Sequence, residues 1–251
     1  MFKAVVSDAK TLRDLVTAIS TLVDEATFNA DENGVKLREM DPSRVAMIDF
    51  LLPKSAFEEY VCSEPTKICL NITEFLKLIK RAGKDEPVEI LLDEKTGKLN
   101  ITIKGSYTRT FNMPLLEALA EEAPTPRIAF NAKAQVTTSG IRQAIEDASL
   151  VSDHVKIEAT NESLVMRATG ELTGATIELR KGSEALLNLE VKEESRATFS
   201  LNYLAEIIKA ASATSEIATL EFSTDMPIRV DFKLPNEGSL TYYLAPRIEG
   251  D

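Results

Sequence analysis

Ile72-Thr-Glu-Phe-Leu-Lys-Leu-Ile-Lys-Arg-Ala82 returns further along the chain as Leu201-Asn-Tyr-Leu-Ala-Glu-Ile-Ile-Lys-Ala-Ala211. Ile72, Phe75, Leu78, Ile79, Lys80 and Ala82 fall opposite Leu201, Leu204, Ile207, Ile208, Lys209 and Ala211. A second echo follows in the same order, Phe111-Asn-Met-Pro-Leu-Leu-Glu117 against Tyr243-Leu-Ala-Pro-Arg-Ile-Glu249. Any two helix-then-strand segments look alike at low stringency, but two echoes in one order favour duplication, which fixes the architecture first. A chain of 251 residues has room for two mid-sized domains, each with its own core.

Helical spacing appears four times, over roughly 9–23, 72–84, 133–148 and 201–213, with Asn71 or Thr73 placed to cap the second. Each segment has one apolar face and is expected to lie on something. Between them, short strands are expected over 25–30, 35–38, 45–52, 88–92, 99–103, 155–159, 163–168, 175–179, 218–222 and 228–234, with Asn33-Gly34 a hairpin signal. The expected fold is α+β, two similar domains with antiparallel sheets and two helices each. Residues 1–114 form the first domain, 115–127 a connector ending in Pro124 and Pro126, and 128–251 the second. Long edge strands near Tyr107–Met113 and Thr173–Leu179 need pairing or cover, and pairing between chains supplies it.

The net charge of −11 argues against nucleic acid at first sight. The four helical segments nevertheless hold nine basic residues (Lys10, Arg13, Lys77, Lys80, Arg81, Lys84, Lys133, Arg142, Lys209) against five acids (Asp14, Glu74, Glu146, Asp147, Glu206). Ordinary solvated helix faces would look similar, but the segregation allows a basic surface on an acidic protein. Cys62 and Cys69 offer neither a disulfide framework nor a metal spacing, and are expected to be buried. No run of membrane-spanning length and no signal-peptide pattern occurs, so the expected location is cytoplasmic. His154 reads as a turn or surface histidine, and there is no phosphate loop or nucleophile elbow. No catalytic residue, metal or cofactor is expected, and a binding or scaffolding role is the better reading. A hydrolase on a duplicated scaffold is the competing one.

Val35-Lys-Leu-Arg-Glu-Met-Asp-Pro-Ser-Arg-Val-Ala-Met47, Leu22-Val-Asp-Glu-Ala26 and Tyr242-Tyr-Leu-Ala-Pro-Arg-Ile-Glu249 resemble the proliferating cell nuclear antigen family, and the resemblance runs from Met1 to Glu249. That family is the DNA sliding clamp of archaea and eukaryotes, and this chain is archaeal-looking. The resemblance implies a closed ring of three chains with helices lining the central hole. It implies a processivity factor that encircles duplex DNA and tethers replication and repair enzymes. A non-catalytic adaptor subunit of a mixed heterotrimeric ring is the alternative. It assigns Lys10, Arg13, Lys77, Lys80, Arg81, Lys84, Arg142 and Lys209 to phosphate contact independent of sequence. Asp14 and Ser20 stand where many relatives carry Lys, so the first helix is expected to contribute less. A partner pocket is implied at Met40, Arg44, Met47, Leu119, Pro227, Tyr243, Ala245 and Pro246. The seam between chains is implied at Tyr107, Arg109, Phe111, Ala175, Ile177 and Leu179, with Arg109 meeting acids such as Asp147. Implied partners are a replicative DNA polymerase, a flap endonuclease, DNA ligase and a clamp loader. No membrane is involved, and the location is nucleoid-associated, or nuclear in a eukaryote.

Overall fold

The structure, a computed structural model, describes residues 1–117 and 123–248, so Leu119 lies outside the described residues. The chain divides into two compact units. One comprises Met1–Pro42, Ile48–Ala123 and Leu234–Leu240, the other Ser43–Met47, Pro124–Lys233 and Thr241–Asp251.

The first half supplies β1 (Phe2–Val6), α1 (Ala9–Ser20), β2 (Glu25–Asp31), β3 (Gly34–Met40), β4 (Ala46–Pro53), β5 (Glu59–Cys62), β6 (Thr66–Asn71), α2 (Ile72–Ile79), β7 (Val88–Asp93), β8 (Lys98–Lys104) and β9 (Thr108–Pro114). The second supplies β10 (Ala132–Thr137), α3 (Thr138–Ser149), β11 (His154–Ala159), β12 (Ser163–Thr169), β13 (Gly174–Arg180), β14 (Leu186–Val191), β15 (Ser195–Ser200), α4 (Leu201–Ala211), β16 (Ile217–Phe222), β17 (Ile228–Lys233) and β18 (Ser239–Leu244). Neighbouring strands run β5-β1-β7-β8-β9 and β4-β3-β2-β6 in the first half. In the second they run β14-β10-β16-β17-β18 and β13-β12-β11-β15. Each strand of one half thus has its counterpart nine places on, in the same neighbourhood. The internal repeat seen in two short sequence echoes extends through the whole strand order.

The helices form where the sequence caps and patterns them. Asp8 accepts from the Lys10 amide to start α1, Asn71 from the Glu74 amide to start α2, and Thr137 from the Gly140 amide to start α3. Leu12, Leu15, Val16 and Ile19 of α1 are buried, as are Ile72, Phe75, Leu76 and Ile79 of α2, and the two helices pack together. Each such side chain removes apolar surface worth about 1.5–3 kcal/mol from water, as an upper bound. Helices α3 and α4 repeat the arrangement through Ile141, Ala144, Ile145 and Ala148 against Leu204, Ile207, Ile208 and Ala211.

Two expectations need correction. Residues 133–137 belong to strand β10, so Lys133 is a strand residue and the third helix begins at Thr138. The second helix ends at Ile79, so Lys80, Arg81 and Lys84 lie beyond it. With these boundaries the helices carry Lys10, Arg13, Lys77, Arg142 and Lys209 against Asp14, Glu74, Glu146, Asp147 and Glu206, and the four together are neutral. The basic surplus belongs to the turn after α2 and to Lys133. The periodicity misled at Lys133 because β6, β10 and β15 run straight into α2, α3 and α4, the capping residue being the last of each strand, so apolar positions continue across the junction. Cys62 also departs from expectation: it is half-exposed, with its Sγ 3.1 Å from the Glu64 carbonyl oxygen, whereas Cys69 is buried.

The hairpin at Asp31–Gly34 is fixed by its surroundings. Lys54 N–H donates to the Asn33 carbonyl at 2.8 Å, and the Tyr60 hydroxyl lies 2.7 Å from the Asp31 carbonyl oxygen and 2.8 Å from that of Gly34. Gly34 has φ +148°, and a Cβ there would stand 2.3 Å from the Leu52 carbonyl oxygen. Gly34→Ala is therefore expected to cost about 1–3 kcal/mol. Thermal unfolding should show it as a fall of roughly 2–4 °C per kcal/mol for a chain of this length.

Candidate functional site

The turn after α2 is the most basic exposed segment. Lys80 caps the helix, the Arg81 amide returns to the Leu78 carbonyl, and Ala82 is buried, which leaves Lys80, Arg81 and Lys84 projecting into solvent, with Asp85 next to them. None of these three cations has an ion-pair partner among the described residues, and neither does exposed Lys209 on α4. The helix cations are different. Lys10 Nζ is 2.6 Å from Asp14, Lys77 Nζ 2.6 Å from Glu74, and Arg142 Nε 3.7 Å from Glu146. The Arg13 guanidinium donates to the Ala82 carbonyl and ties α1 to the basic turn. Unpaired, exposed cations keep their full field for a polyanion, whereas a lysine held by its own carboxylate presents little.

Arg109 on β9 is engaged within its own chain. Its Nη1 donates to the Arg81 carbonyl at 3.1 Å, its Nη2 to the Glu86 carboxylate, and the guanidinium stands 4.7 Å from the Tyr107 ring centroid. Glu86 also accepts from the Gly83 amide at 2.8 Å, and Gly105 leaves room for it, since a Cβ there would overlap the carboxylate. The sequence reading missed Glu86, whose partners are brought in from β9 and from the turn, although the run Gly83-Lys-Asp-Glu86 was visible. The result is a clasp that fixes the basic turn beside strand β9.

Strand edges set the second feature. Strands β9 and β13 each end a run of neighbours, each is seven residues long, and each shows the same alternation of exposure. Arg109, Phe111 and Met113 share one face of β9, and Ala175, Ile177 and Leu179 share one face of β13. The remaining edges are protected in the usual ways. Strand β5 has only four residues, and the register shifts between Gln135 and Val136 where β10 meets β14. Leu116 N–H donates to the Cys69 carbonyl on β6, and Arg247 N–H to the Thr198 carbonyl on β15. Asp147 is exposed on α3, which packs against β12 and β13.

Of the residues assigned to a partner pocket, Arg44, Met47, Pro227, Tyr243, Ala245 and Pro246 fall in the second unit and Met40 in the first. Ala245 N–H donates to the Val45 carbonyl at 2.9 Å, which lays the segment after β18 beside the start of β4. Met47 is buried at 4% exposure, so it reads as core, while Tyr243, Pro227, Ala245 and Pro246 are half-buried. Arg44 is exposed at φ 57°, a conformation that turns the chain into β4. Met40 is 40% exposed. His154 begins β11, half-buried, with the Arg247 guanidinium 2.8 Å from its ring. Among the described residues no group of three or more His, Cys, Asp or Glu could hold a metal.

Residues 1–117 match the model of the proliferating cell nuclear antigen N-terminal domain, and residues 124–247 that of its C-terminal domain. The chain therefore belongs to the proliferating cell nuclear antigen family. Among its relatives, a protein of Thermococcus gammatolerans described as a DNA polymerase sliding clamp is 41% identical over 248 residues, covering 99% of both chains. One from Pyrococcus furiosus with the same description is 38% identical over 248 residues, again 99% of both. Among solved structures, the proliferating cell nuclear antigen of Thermococcus kodakaraensis aligns with a TM-score of 0.94 at 26% identity, over 98% of this chain and 100% of that one. A PCNA2–PCNA3 complex from Sulfolobus tokodaii aligns at 0.90 and 27% identity, over 98% and 100%.

The clasp makes a titration prediction. Glu86 is held below the ordinary carboxylate range, first by the Gly83 amide and then by Arg109. A depressed folded value means that the contact stabilises the folded chain above the usual range, and that this is lost as pH falls through the depressed value. By carboxyl-carbon NMR, Glu86 is expected to titrate below the reference value of about 4.3. Arg109→Met should move it part of the way back, because the Gly83 amide remains; an unchanged titration would refute the clasp.

Proposed function

We propose that this chain is a DNA sliding clamp, a non-catalytic processivity factor that closes around duplex DNA as a ring of three copies. The observation that carries the reading is the pair of seven-residue edge strands, β9 and β13. By the internal repeat, β9 corresponds to β18 and β13 to β4. Just past β18, the Ala245 N–H donates to the Val45 carbonyl just ahead of β4, both residues in the second unit. The two free edges are then the complementary halves of one more such contact, and it takes a second chain to make it. Such a contact is head-to-tail, and a head-to-tail contact generates a closed ring when its rotation closes.

In this reading Phe111 meets the face formed by Ala175, Ile177 and Leu179, and the Arg109 clasp brings Tyr107 and the basic turn toward Asp147 of the next chain. An exposed ion pair there adds about 0–1 kcal/mol unless networked, so the backbone pairing does most of the holding. Relatives covering almost the whole chain are described simply as DNA polymerase sliding clamps, which favours a self-closing ring over a mixed one. Light scattering behind a sizing column is expected to give three times the mass of the chain, and Ile177→Asp should reduce it to one. A wild-type monomer would point to missing sister subunits instead.

The DNA contacts in this reading centre on Lys80, Arg81 and Lys84, with Lys209 in support. Lys10, Lys77 and Arg142, balanced by neighbouring carboxylates, contribute less, and Arg13 holds the turn in place. Contact through phosphates is independent of sequence, as a protein that slides requires. The mechanism is topological: a tethered polymerase stays at high effective concentration near the primer end. Partner enzymes, including a replicative polymerase, flap endonuclease, ligase and clamp loader, would dock on the second unit at Arg44, Pro227, Tyr243, Ala245 and Pro246. No helix among the described residues is long and apolar enough to cross a membrane, and the clamp would work wherever the duplex is, in nucleoid or nucleus. Replacing Lys80, Arg81 and Lys84 together with Ala should leave the fold and mass unchanged. It should weaken stimulation of DNA synthesis and flatten the salt dependence of DNA affinity, by up to about 0.9 in log–log slope for each phosphate no longer neutralised. Wild-type stimulation by that variant would sink the assignment.

A further inference from the structure

Within the first unit, α1, α2 and the strands beneath them line a partly open cavity of ≈ 80 Å³. Every side chain lining it is apolar, among them Leu15, Val16, Phe28, Phe50, Leu70 and Ile90. A buried water needs two to four polar partners, and these walls supply none, so they hold water poorly. An empty apolar void forfeits dispersion contacts on all sides, and an apolar guest of the right size regains them without displacing hydrogen-bonded water.

The internal repeat presents the same place in the second half with different side chains. On the paired strands β2 and β6, Ala26 faces Leu70; on β11 and β15, Val155 faces Phe199. Leu70 and Phe199 each stand two residues before their helix, and Phe199 is fully buried. Phe28 is half-buried with the cavity beside it, whereas Ile157 at the equivalent position is 1% exposed and Leu220, equivalent to Ile90, is 2% exposed. At this pair the first half carries the smaller residues, Ala26 and Leu70 against Val155 and Phe199, and two residues on the larger, Phe28 against Ile157.

We propose that this cavity is a binding site for small uncharged apolar molecules, and that Leu70 keeps it open. Its volume is about half that of an engineered cavity of ~150 Å³ that takes benzene or xenon, which limits the guest to a single heavy atom or a few carbons. Methyl NMR of the full chain under xenon pressure tests it. Saturable shifts are expected at Leu15, Val16 and Leu70, with Val155 and Leu220 unmoved. Leu70→Phe should abolish the shifts at Leu15 and Val16 and raise the thermal midpoint by about 2–4 °C. Wild-type methyls that stay put under xenon overturn the proposal, and so does a Leu70→Phe chain that responds as the wild type does. Should that variant fail to fold, Val16→Ile takes less of the space and should reduce the shifts without removing them; unreduced shifts overturn the proposal equally.

Discussion

A strand at the end of a sheet presents a row of backbone donors and acceptors to whatever comes next, and the organisation of this chain is largely an answer to that fact. Each half ends one run of strands with a short or irregular edge and ties a passing segment onto another. The treatment is parallel in the two halves. Cys69 lies three residues before α2 and accepts from Leu116; Thr198 lies three residues before α4 and accepts from Arg247. In both cases the backbone that has just left the Pro-containing strand end, at Pro114 or Pro246, crosses to the strand feeding the second helix. The duplication preserved this cover along with the helices and sheets. Edges β9 and β13, left long and uncovered among the described residues, stand out against that background.

Charge is arranged with similar economy. The helices look basic in sequence only when their ends are drawn generously, and their cations are mostly balanced by carboxylates on the same helix. Three exposed cations without ion-pair partners among the described residues, Lys80, Arg81 and Lys84, fall together in one turn, held by contacts from two directions. Arg13 reaches it from α1 and Arg109 from β9, the latter through Glu86 and the Arg81 carbonyl. Both arginines therefore act by holding other cations in place, a role that their charge alone does not suggest.

How much was legible in the sequence follows from the range of each interaction. The apolar stripes of Ile72–Ile79 and Leu201–Ala211 are local and repeated, so the helices and the duplication could be read directly. The hairpin at Asn33-Gly34 and the edges near Tyr107 and Thr173 were legible for the same reason. Strands β6, β10 and β15 were hidden because no loop separates them from the helices, and Lys133 was carried into a helix with them. The Arg109–Glu86 clasp joins residues from different elements and depends on Gly105 to make space, which no periodicity reports. The cavity beside Leu70 is further still from view, since it depends on several elements meeting a little short of contact.

In the proposed ring, each chain is what polymer chemistry would call an A–B monomer, with β9 as one end and β13 as the other. When each end meets its unlike partner, growth has a direction, and every open assembly, however long, ends in one A and one B. Only closure removes both. The finished object is then selected by the disappearance of its ends as well as by the strength of any one joint. A single joint can remain weak enough to open and re-form while the closed ring, which must break a joint before it can lose a member, persists.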